Sequence, residues 1–133
     1  MLKVIQSGSR VLLGLIYFVF GWMGLLMFLG VLKMETPPMT PGAEGFFKGM
    51  MGTGFFFQFL KGTEIVCGFL LVFNIAAPLA LVIIAPVTLN IILFHAFLTP
   101  GAENLGLPAA MGALQAVAMT GYLKNYIPMF RKG

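Results

Sequence analysis

The chain has 133 residues, 59% of them hydrophobic and 9% charged. Its mean hydropathy of +0.99 excludes an ordinary water-soluble domain, which needs far more polar side chains to cover its surface. Eight Lys and Arg against four Glu give a net charge of +4, but the basic residues stand singly or at the chain ends and form no patch of the kind nucleic acid requires. Cys67 is the only cysteine, which excludes an internal disulfide and a CxxC redox pair.

The opening MLKVIQSGSR has the charge order of a signal peptide. The apolar stretch after it, Val11 to Leu32, is too long for a signal core, and no small-x-small cleavage site comes before KMETPP. The pattern predicts an uncleaved first helix over Val11 to Leu32, about the 20 residues needed to cross a hydrocarbon core of about 30 Å. Gly14 and Gly21 lie seven apart on one face with Gly24 beside them, so close helix packing is expected through that side. Tyr17 and Trp22 read either as packing aromatics, the commoner role, or as the lining of a cavity.

Lys33 to Gly45 is expected to be a loop in water or among headgroups, since Pro37, Pro38 and Pro41 remove backbone donors and turn their predecessors away from helix. Phe46 to Gly54 mixes aromatic and Met side chains with Lys48 and glycines, which suits a short segment lying at the interface.

The second helix is expected over Phe55 to Ala76. It contains Gln58, Lys61 and Glu64, and a central charge costs about 2.5 to 3.5 kcal/mol in a span, so a polar partner is required. Lys61 and Glu64 are three apart on one face and can pair with each other or with a neighbouring helix. The third helix, from Ala77 to Leu98, has Pro86 near its middle, which frees a carbonyl one turn back and predicts a bend. Thr88 and His95 share a face of this helix. Asn90 points about 140° away from His95, so the two are expected to meet different neighbours unless the bend brings them together.

A second loop, Thr99 to Gly106, contains Pro100 and Glu103 and no basic residue. The fourth helix is expected from Pro108, a good first helical residue, to Ile127, with Gln115 its one strongly polar interior side chain. The whole chain, 1–133, therefore reads as one all-α domain, a polytopic membrane protein built as a bundle of four transmembrane helices. Lys3, Arg10, Lys124, Arg131 and Lys132 flank the two ends. Only Lys33 and Lys48 lie between helices one and two, and no basic residue lies between helices three and four, which predicts both termini on the cytoplasmic side of the cell membrane.

Three stretches, RVLLGLIYFVFGWMGLL, KGTEIVCGFLLVFNIAAPLALVIIAP and LNIILFHAFL, resemble the DoxX family of small four-helix membrane proteins. The Glu-x-x-x-Gly of Glu64 and Gly68 and the Asn-x-x-x-x-His of Asn90 and His95 carry the resemblance. It implies a four-helix bundle. One archaeal branch of the family looks like a subunit of a thiosulfate:quinone oxidoreductase, other branches resemble accessory membrane partners of redox enzymes, and distant relatives look like membrane chaperones or cargo receptors.

Two functions remain open on the sequence. In the first, the chain is an accessory or quinone-binding subunit of a membrane redox system, with quinone as its cofactor. Glu64, His95, Asn90 and Lys61 would then contact the quinone or handle its protons: desolvation disfavours an ionised Glu64 unless Lys61 or another donor holds it, and imidazole with an ordinary pKa of about 6.5 changes charge under mild conditions. In the second, the chain is a non-catalytic assembly partner of another membrane protein. The same residues with Gln115 would then clamp the helices together at roughly 0.6 to 2 kcal/mol per bond, Gly14, Gly21, Gly68 and Pro86 would shape helix packing, and the glycine face of the first helix would dock the partner. No catalytic residue is assigned under either reading, and whether the chain is an enzyme stays open. Partners expected are membrane lipid and either another membrane protein or a second copy. A metal is not expected, because His95 and Cys67 are too few ligands for a structural zinc or a bis-His haem. A channel or transporter is a third class, loosely suggested by Pro86 and the glycine-broken start of helix two, but the sequence has no internal repeat to build a transport path.

Overall fold

The computed structural model describes residues 1–33, 38–99 and 101–131, and these are helical with no strand among them. The helices are α1 (Leu2–Phe28), α2 (Pro41–Gly52), α3 (Phe56–Val72), α4 (Ala77–Phe97), α5 (Gly106–Thr120) and α6 (Leu123–Tyr126), with single 3-10 turns at Ala102–Asn104 and Ile127–Phe130. Residues 34–37 of the expected proline loop, Pro100 and Lys132 lie outside the described residues.

α1 and α4 are each long and apolar enough to cross a membrane. α2 and α3 together also meet that measure but are bent by 93° at their junction, so α2 turns away across the end of α3.

Packing links four helices in a ring: α1 lies against α3 and α5, and α4 lies against the same two. The contacts run antiparallel. Gly14 of α1 faces Gly68 and Leu71 of α3, whereas Gly24, ten residues on, faces Lys61. Gly112 of α5 faces Ile92 of α4, while Tyr126, beyond the other end of α5, reaches Pro78. Leu13, Tyr17, Cys67, Leu71, Ala77, Ala80, Leu81, Ile84, Met111 and Ala118 fill the centre. Large apolar side chains such as Leu15, Val19, Phe59, Val66, Leu79 and Leu89 point outward, the distribution of a bundle whose solvent is apolar.

Each helix boundary that departs from the sequence expectation has a local cause. α1 starts at Leu2 rather than Val11, because nothing in LKVIQSGSR breaks a helix and the Met1 carbonyl accepts from Val4 and Ile5. It ends at Phe28 rather than Leu32, because Gly30 takes φ +78°. The Val31 amide then reaches the Leu26 carbonyl and the Gly30 amide that of Met27, a Schellman stop.

The same device ends α3 at Val72 rather than Ala76. Asn74, one of the few side-chain types at ease in the left-handed region, has φ +55°. Ile75 and Asn74 donate back to Leu70 and Leu71 at 2.9 and 3.4 Å. Pro41 to Gly45 belong to α2 and not to the loop: Thr40 caps the helix by accepting from the Ala43 amide at 3.2 Å, and Pro41 takes the first turn, where its missing N–H costs nothing. α5 stops at Thr120 because the amides of Gly121 and Tyr122 tighten onto Ala118 and Met119. The rest of the expected fourth helix turns aside as α6.

Candidate functional site

Close approach of α1 and α3 creates the first feature of the interior. A Cβ on Gly68 would lie 2.6 Å from both the Gly14 carbonyl oxygen and the Phe18 amide nitrogen, and one on Gly14 would lie 2.9 Å from the Gly68 carbonyl oxygen. Those neighbours are backbone, so only glycine fits at this crossing. Gly21 packs on Ile65 and the Lys61 carbonyl. The glycine face of α1 is thus filled by α3 of the same chain.

Farther along α1, Gly24 opens a notch for the stem of Lys61, whose Cε would lie 2.6 Å from a Cβ there. The Lys61 ammonium stands 3.2 Å from a Glu64 carboxylate oxygen, with the two side chains 19% and 4% exposed. It also lies 5.5 Å from the centre of the Phe57 ring, whose negative face favours a cation. The two charges inside α3 are therefore partnered on their own helix.

A second polar group sits among α1, α4 and α5. The Tyr17 hydroxyl bonds the Thr88 hydroxyl. Thr88 donates to the Gln115 carbonyl oxygen at 3.0 Å, and the Gln115 amide donates to the Leu81 carbonyl at 2.8 Å. Tyr17, Thr88 and Gln115 are all buried. Pro86 deprives the Val82 carbonyl of its intrahelical donor, whereas the carbonyl that Gln115 reaches is that of its neighbour Leu81. Among the described residues no buried side-chain nitrogen or oxygen lacks a hydrogen-bond partner.

The remaining expected site residues do not join these groups. α3 and α4 run antiparallel from their turn, with Glu64 eight residues back from Val72 and His95 eighteen on from Ala77. They are therefore offset by about 15 Å along the bundle axis. His95 is half-buried in the last turn of α4, its Nδ1 2.9 Å from the Ile91 carbonyl and its ring edge-on to Phe94. Phe94 in turn holds α2 through Phe46 and Phe47, at ring-centre distances of 5.2 and 5.4 Å. Asn90 is exposed on the outer side of α4.

Two working residues escape the sequence reading. Tyr17 looks like one more packing aromatic, although an apolar span that carries a Tyr needs somewhere to send its hydroxyl. Arg10 looks like a flanking charge. Its guanidinium instead bonds the Leu71 carbonyl and lies 3.4 Å from that of Val72, closing the carboxyl end of α3, where free carbonyls favour a cation.

Two hollows of the surface lie beside the start of α1. One of about 220 Å³ is lined by Lys3, Gln6, Ser7, Gly121 and Tyr122. An open one of about 530 Å³ runs along Lys3, Val4, Ser7, Gly8 and Val11. Neither touches Glu64, Asn90 or His95. Among the described residues no three His, Cys, Asp or Glu side chains cluster as a bound metal would need. No protein-family model matches the chain, and neither a curated protein nor a solved structure matches it.

Proposed function

We propose that the chain is a four-span protein of the cell membrane, with α1, α3, α4 and α5 crossing and both ends cytoplasmic, and that it serves as a non-catalytic accessory subunit of a membrane redox system. The observation that carries this is the closed polar interior. Lys61 pairs with Glu64, while Tyr17, Thr88 and Gln115 bond one another, and among the described residues no buried side-chain nitrogen or oxygen is left without a partner. α3 and α5, with 17 and 15 residues, are shorter than a full span and cross by drawing their interfacial flanks inward. The redox setting comes from the likeness of Glu64, Gly68, Asn90 and His95 to the DoxX pattern.

The test is the complex purified from native membranes through a tag on this chain. Gln115→Leu is expected to lower the melting temperature and the yield of assembled complex while leaving quinone-linked turnover per assembled complex unchanged. Loss of turnover in a fully assembled, equally stable complex would remove the accessory reading.

One observation favours quinone contact as a second reading. With Nδ1 donating to the Ile91 carbonyl, neutral His95 keeps Nε2 as an acceptor, the group a quinol hydroxyl needs. The site would lie at the α2 end of α4, among Phe46, Phe47 and Phe94. His95→Ala is expected to weaken quinone binding on this reading, and unchanged binding and turnover eliminate it.

A further inference from the structure

The outer face of α4 carries a polar side chain that the bundle does not satisfy. Leu79, Ile83, Pro86, Asn90, Leu93 and Phe97 follow one another at alternating steps of four and three residues, and all six are exposed. This spacing repeats every seven residues and draws one seam along the helix. Five of the six are apolar and suit lipid. The side-chain hydrogen bonds of α4 belong to Thr88 and His95, and Asn90 makes none among the described residues.

Lipid does not explain Asn90. It lies three residues beyond the middle of a helix that runs from Ala77 to Phe97, so its Cα is about 5 Å from the helix midpoint, whereas the headgroups begin about 15 Å from the bilayer centre. A side chain this short does not reach water, and an amide left bare in hydrocarbon is costly.

We infer that the Leu79–Phe97 seam of α4 is the interface of a homodimer, with Asn90 bonded to Asn90 of a second copy. Three features select a second copy as the occupant. An amide carries both donor and acceptor, so it complements itself. Two copies in one membrane share one orientation, and a twofold axis along the membrane normal sets their α4 helices parallel with each residue opposite its equal. The four-three spacing is that of left-handed parallel helix pairs, in which one polar residue on an apolar seam fixes register and pairing. Pro86 lies on the same seam one turn from Asn90.

Dimerisation is separate from the accessory role, and each can fail without the other. The test uses the full chain in native membranes, with buried Cys67 as the unreactive background. Single cysteines are placed on the seam, Ile83→Cys and Leu93→Cys, and on exposed positions of other helices, Leu12→Cys and Val66→Cys, and are oxidised with copper phenanthroline. The seam positions are expected to give a covalent dimer at twice 14.4 kDa, and the other two are not. Adding Asn90→Leu to Leu93→Cys is expected to weaken pairing on the order of threefold to thirtyfold, whereas Asn90→Gln keeps the amide and most of the pairing. Because Asn90 is exposed, the monomer melting temperature of Asn90→Leu in detergent should match that of the parent, which separates lost pairing from lost fold. Equal cross-linking at all four positions, cross-linking only to a different protein, or full pairing in Asn90→Leu would each overturn the dimer.

Discussion

Removing one charge of the Lys61–Glu64 pair strands the other in a nearly dry interior, and breaking such a pair costs about 3 to 5 kcal/mol, whereas replacing both members with apolar groups of similar size is close to neutral. Lys61→Met is therefore expected to lower the melting temperature in detergent sharply, and Lys61→Met/Glu64→Leu to recover most of the loss. A double variant as unstable as the single one would mean that the pair does more than neutralise itself. Its three-residue spacing made this contact readable from the sequence. Asn90 enters the candidate site through its type and the Asn-x-x-x-x-His resemblance; its angle from His95 separates the two, but burial on a helix without amphipathic contrast depends on which neighbours exist. Tyr17 and Arg10 were missed for the same reason, since their partners, Thr88 and the last carbonyls of α3, lie more than sixty residues away.

At the scale of helices, glycine separates packing from freedom. Gly68 and Gly62 both lie inside α3, but a Cβ on Gly68 meets backbone at 2.6 Å while one on Gly62 meets nothing within 4 Å. Gly68→Ala is expected to destabilise by about 1 to 3 kcal/mol through overpacking, and Gly62→Ala to stabilise by up to about 1 kcal/mol through helix propensity. Thermal unfolding in one detergent checks the opposite signs. Gly14 and Gly21, seven residues apart, both lie against α3, although spacing alone does not tell a neighbour in the same chain from a foreign one. Helix positions were readable because long apolar runs admit little else. Their ends were less so, because Gly30 and Asn74 stop helices by backbone conformation within sequences that remain apolar on both sides.

At the scale of the molecule, the start of α1, the segment after α5 and the α3–α4 turn gather at one end. Tyr122 donates to Asn74 at 2.9 Å and Tyr126 to the Pro78 carbonyl at 2.8 Å, and the Gln6 amide donates to the Thr120 hydroxyl at 3.0 Å. α2 covers the other end. With four crossings, cysteines at Gly8 and Lys124 are expected to react with an impermeant maleimide only from the cytoplasmic side, and cysteines at Gly49 and Glu103 only from the opposite side. Labelling of Gly49 and Lys124 from the same side would rule out that topology. Because Lys61 and Glu64 sit one turn apart on the same helix, their charges cancel as soon as that turn forms. α3 can thus leave the insertion machinery as an electrically neutral segment, with no need to wait for α1, α4 or α5 to be synthesised and docked.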